Sequence, residues 1–177
     1  KLLENSNSDG EVIYGNNGVM HSAYFLKDYN SAYTAAVTII NSAQTDQDLL
    51  NESLLIAGNS AMNINDFENA KKYYTQLEHN GTNDLCAEAA YHLAEILLNN
   101  DRNLDGCEAK IQAILSRNYS SEYWYARTFI LYGDLYKAKG NYFQARHTYQ
   151  SIVDNYAGED LIKMAKDKNT ELDALDE

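Results

Sequence analysis

Small and apolar residues return along this chain at offsets of three, four and seven, and the whole set returns as a block. Ala32, Ala70, Cys107 and Ala145 stand 38, 37 and 38 residues apart. Tyr29, Phe67, Leu104 and Tyr142 lie three positions before them, Ala36, Tyr74, Ile111 and Tyr149 four after, and Ile39, Leu77, Ile114 and Ile152 seven after. These offsets share one face of an α-helix, so each block predicts an amphipathic helix with one small residue in its inward stripe.

A further helix is expected ahead of each of the last three blocks. Its inward residues are Leu54, Ala57, Gly58 and Ala61, then Ala90, Leu93, Ala94 and Leu97, then Phe129, Tyr132, Gly133 and Tyr136. The links NIND (63–66), NNDRNLD (99–105) and KGN (139–141) supply the Asn, Asp and Gly that cap helices and turn chains. Each unit therefore reads as a helical hairpin. The pairs Ala57-Gly58 and Leu93-Ala94 are expected to meet the small residue of the second helix, small against small. Such a crossing belongs at the near end of the roughly 8–10 Å range of helix packing.

The segment ARTFILYGDLYKAKGNYFQARHTYQSIVDNY (126–156) resembles the tetratricopeptide repeat through Gly133, Tyr136, Gly140, Tyr142, Ala145 and Tyr149. Residues 51–79 resemble it through Gly58, Phe67, Ala70 and Tyr74. The resemblance implies an all-α, right-handed α-solenoid of about four such hairpins (11–42, 51–79, 86–117 and 122–156), closed by a capping helix over 159–177. Residues 1–10 show no period and are expected to form an irregular tail. The sequence YGNNG (14–18) is expected to shorten or fray the first helix, since each glycine costs about 1 kcal/mol relative to alanine. The third unit departs further, with an extra residue in its turn and Cys107 in place of alanine. A start at Lys1 reads as a processed or excised piece, with earlier repeats expected upstream. The last units also look like the final repeats of long bacterial envelope proteins, which implies a periplasmic or envelope setting.

The absence of proline favours long helices. A formal net charge of −12 opposes binding to phosphate backbones, so nucleic acid is not an expected partner. No apolar run reaches 18 residues, and no membrane insertion is expected. Cys86 and Cys107 read as small buried apolar residues. His21, His79, His92 and His147 show neither the i, i+4 pairing nor the attendant cysteines of a zinc site, and no phosphate loop or nucleophile turn is present. No metal, cofactor or catalytic residue is expected. Glu88 and Glu95, seven apart, read as solvated surface. Tyr24, Tyr91 and Tyr125 fall outside the repeat pattern and read as rings with exposed edges.

The resemblance implies that the first helices line a concave, peptide-binding groove. Carried over, it would include His21 and Tyr24; Leu55, Asn59, Met62 and Asn63; Tyr91, Glu95 and Asn99; and Ile130, Asp134 and Lys137. Members that grip a terminal carboxylate use lysines, an arginine and paired asparagines. The corresponding positions here are Asn17, His21, Leu55, Asn59, Tyr91 and Glu95, of which only Asn59 matches, so no such clamp is expected. The expected function is a non-catalytic scaffold for an unidentified protein or peptide. The alternative is a glycan-binding module using Tyr123, Trp124 and Tyr125 as a stacking platform.

Overall fold

The computed structural model describes residues 2–174. Among them nine α-helices and no strand are found: α1 Leu2–Phe25, α2 Tyr29–Ile40, α3 Gln47–Asn63, α4 Phe67–Glu78, α5 Asp84–Asn99, α6 Leu104–Ser116, α7 Glu122–Ala138, α8 Tyr142–Asn155 and α9 Glu159–Asp173. They form two compact units, α1–α4 up to Gly81 and α5–α9 from Thr82. Within each unit consecutive helices pack against one another, and α5 also meets α7.

The turn inside each hairpin is built the same way four times. Lys27, Asn65, Arg102 and Gly140 take positive φ of 61°, 62°, 53° and 74°. Each is followed by an N-cap, Asp28, Asp66, Asn103 or Asn141, whose side chain accepts the N–H three residues on. That bond satisfies one of the donors left open at a helix start. The N–H groups of Asp28, Asp66 and Asn141 donate to carbonyls five residues back, whereas that of Asn103 reaches Leu97, six back. The extra residue expected in the third turn is thus absorbed between α5 and Asn103, the N-cap of α6.

The small residue of every second helix is fully buried: Ala32, Ala70, Cys107 and Ala145 are each 0% exposed. What opposes the small residue of the first helix differs from expectation. A Cβ on Gly58 would lie 2.5 Å from Cε1 of Tyr74, and Gly133 meets Tyr149 in the same way. Small faces large here, because the tyrosine four residues beyond the alanine lays its ring across the glycine.

Two further expectations are corrected. Residues 2–10 and the glycine-rich stretch that follows belong to one continuous helix, α1, rather than to an irregular tail and a frayed start. A Cβ at Gly10, Gly15 or Gly18 would meet nothing within 4 Å, so these glycines sit on the open side and cost only propensity. Burial of Met20 and Ala23 and the packing of α1 on α2 hold the other side. In α7 the buried residues include Ala126, Ile130, Leu131 and Leu135, whereas Phe129, expected to point inward, is 38% exposed. The closing helix is present as α9, burying Leu161, Ala165 and Leu172. Residue 1 of the expected tail and residues 175–177 of the expected cap lie outside the described residues.

Candidate interaction face

In the first unit, the first helices α1 and α3 are linked by His21, whose Nε2 stands 3.5 Å from the Glu52 carboxylate. Tyr24 is half-buried and meets Tyr29 edge-on at 6.0 Å. Met62 is half-buried and Asn63 exposed, with the Asn63 amide donating to the Asn59 carbonyl at 2.8 Å. Asn59 has an internal task, since its Oδ1 accepts the Tyr74 hydroxyl at 2.6 Å. Leu55, expected in the lining, is buried in the core.

In the second unit α5 and α7 build a denser arrangement. Tyr91 is 5% exposed, and its hydroxyl accepts from Arg127 at 2.9 Å and donates to Glu95 at 3.2 Å. The Arg127 guanidinium lies 4.9 Å from the Tyr91 ring centroid and 5.9 Å from that of Trp124. Such cation–π contacts strengthen where water is excluded. Trp124 packs on Tyr91 at 5.2 Å and on His92 at 5.8 Å. His92 Nδ1 is 2.9 Å from Glu95, and its Nε2 is 3.8 Å from Glu88.

The electrostatics follow from this geometry. Burial acts to lower the His92 pKa, but the hydrogen bonds and charges of Glu88 and Glu95 outweigh it and hold the imidazole above its usual value. Burial acts to raise the Glu95 carboxyl, yet His92, Arg127 and Tyr91 hold it below the usual range. Burial first, and then the Glu95 charge, push the Tyr91 phenol far up. Glu88 and Glu95 are therefore not the solvated pair expected from their spacing; their side chains are only 22% and 26% exposed. Tyr91 likewise is an internal strut rather than an exposed ring.

At α7 the expected groove residues lie against the closing helix. Lys168 donates to Asp134 at 2.6 Å, Lys137 pairs with Glu171 at 2.9 Å, and Asp134 also accepts the Tyr149 hydroxyl at 2.7 Å. Ile130 is buried. Asn99, on α5, is exposed. The stacking platform does not assemble: Trp124 packs on α5, Tyr123 meets it edge-on, and Tyr125 donates its hydroxyl to the Arg117 carbonyl. Arg127 was missed by sequence reasoning, although its place three residues after Trp124 on a helix could have signalled the contact.

Among the described residues no three His, Cys, Asp or Glu side chains are placed to hold a metal ion, and no helix is long and apolar enough to cross a membrane. Cys86 and Cys107 are buried thiols not joined in a disulfide, and burial, ahead of the neighbouring charges, pushes Cys107 up to about 11. A thiol held so far from ionisation is a poor nucleophile. A family model described as Tetratricopeptide repeat-like domain matches residues 20–175. Comparison with curated proteins and with solved structures yields no match.

Proposed function

Because the chain belongs to the tetratricopeptide repeat-like domain family, whose fold generally serves protein interaction, we propose that it is a non-catalytic scaffold docking a partner protein or peptide on the first-helix faces of its hairpins. The observation that carries this reading is the set of charged side chains on α5 and α7, Glu88, His92, Glu95 and Arg127, held in place by one another while still partly open to solvent. Side chains already fixed in one geometry lose little freedom when a partner arrives, which favours affinity. His21, Tyr24, Met62 and Asn63 are the corresponding contacts of the first unit, and Glu95 and Asn99 those of the second. Asn59, Tyr91, Asp134 and Lys137 support these faces from within or beneath α9, so their removal acts through the shape of the face.

The test is capture on the immobilised protein from an extract of its source, followed by quantitative mass spectrometry. Glu95→Ala and Asn63→Ala should reduce recovery of a specific partner while helical circular dichroism stays unchanged. Recovery that no first-helix substitution alters would reject the reading.

A further inference from the structure

Between the start of α7 and the end of α8 lies a cleft of about 510 Å³ that the proposed docking face does not use. Buried Ala126 and Ile152 form its floor, and Tyr125, Phe129 and Tyr156 stand around it. Its volume falls within the usual range of ligand pockets, roughly 300–1,000 Å³. Phe129 forms one wall and leaves 38% of its surface in solvent.

The charge at the cleft is one-sided. Among the described residues that line it, Glu122 alone is charged. Glu159 and Asp160 open α9 just beyond Tyr156, and the charges of Asp160 and Glu122 both act on the Tyr156 phenol. No cation pairs with Glu122, Glu159 or Asp160 among the described residues. The carboxylates of Glu108, Asp134, Glu171 and Asp173, by contrast, are answered by Lys139, Lys168, Lys137 and Arg146. Glu122 at the cleft and Asp160 close to Tyr156 thus carry charge that no neighbouring cation answers.

We propose that the α7–α8 cleft takes a bulky apolar side chain of a protein partner, flanked by lysine or arginine residues that meet Glu122 and Asp160. This rests on the interaction reading above and adds a second contact surface to it. A second copy of the chain is a poor occupant, because each copy carries a net charge of −12 and the same acidic mouth. An anionic ligand is disfavoured for the same reason. A desolvated apolar anchor supplies affinity, and the basic flanks supply orientation and association rate.

The probe is a fluorescein-labelled peptide with one phenylalanine and one leucine set among lysines, titrated by fluorescence anisotropy. Its controls are the same peptide with glutamate for lysine, and with alanine for both apolar residues. Phe129→Glu separates the two components, since it removes an apolar wall while adding negative charge. The proposal expects the lysine peptide to bind this variant about tenfold more weakly than the parent. Unchanged or tighter binding means attraction by charge alone and overturns the cleft. Asn155→Trp, at the exposed end of α8, fills the cleft from its other side and should cost a similar factor, with circular dichroism verifying the fold. Equal binding of the glutamate peptide, or sedimentation showing a dimer that either variant dissolves, also overturns the proposal. The residues changed here are separate from Asn63 and Glu95, so failure of the cleft and failure of the first-helix face are read independently.

Discussion

Lys27, Asn65 and Arg102 hold a left-handed backbone conformation that costs a side-chain-bearing residue roughly 1–2 kcal/mol, and Gly140 adopts it freely in the fourth turn. Lys27→Gly and Arg102→Gly should therefore raise the unfolding free energy by about 0.5–1 kcal/mol, and Gly140→Ala should lower it by about 1 kcal/mol, as read by urea denaturation. Helical glycines divide by what lies opposite. Gly133→Ala forces a methyl group into the Tyr149 ring and should cost about 1–3 kcal/mol, whereas Gly18→Ala meets open space and should gain about 0.5–1 kcal/mol from helix propensity. The sequence displays all these glycines alike. Spacing places a residue on a helical face, but whether a ring or open solvent lies across from it depends on rotamers and neighbours. For the same reason Gly58 could be assigned to a close crossing while its true partner, Tyr74, could not be distinguished from Ala70.

At the scale of the helix, His92 joins two carboxylates of α5 to the aromatic and cationic side chains of α7. Its pKa is raised in the folded state, so its contribution to stability is complete below about pH 6.5 and is lost as pH rises through the folded value. Glu95 is depressed, so its contribution is present above about pH 4.5 and is lost as pH falls through its own folded value. Urea denaturation should accordingly show stability declining as pH rises above about 6.5, and His92→Gln should flatten that decline. An identical slope in the variant would place the titration elsewhere. The closing helix makes a separate prediction: Leu172→Ala should cost about 2–5 kcal/mol, because Leu172 is fully buried in the core that α9 shares with Tyr149 and Ile152. The existence of α9 was legible from Leu161, Ala165 and Leu172 among charges. That it would tie down Asp134 and Lys137 was not, since the pairs span 34 residues and no local spacing encodes them. The continuity of α1 was hidden for the opposite reason: three glycines depress local propensity, and packing on α2 overrides it.

For the molecule as a whole, the spacing of 38, 37 and 38 residues between the small residues recurs in the positive-φ turns, and both follow from repeating the same hairpin. This is the part of the account that sequence alone conveys best, because every copy of the pattern supports the others. The proposed interaction face is less legible, because a groove inherited by resemblance does not reveal which of its residues are already engaged, as Asn59, Tyr91 and Asp134 are. The direct test of the central claim is urea unfolding of Ala32→Leu, Ala70→Leu and Ala145→Leu side by side. Equivalent buried positions predict a comparable loss of about 1–3 kcal/mol at all three. A leucine accepted without cost at any one of them would contradict the repeated hairpin.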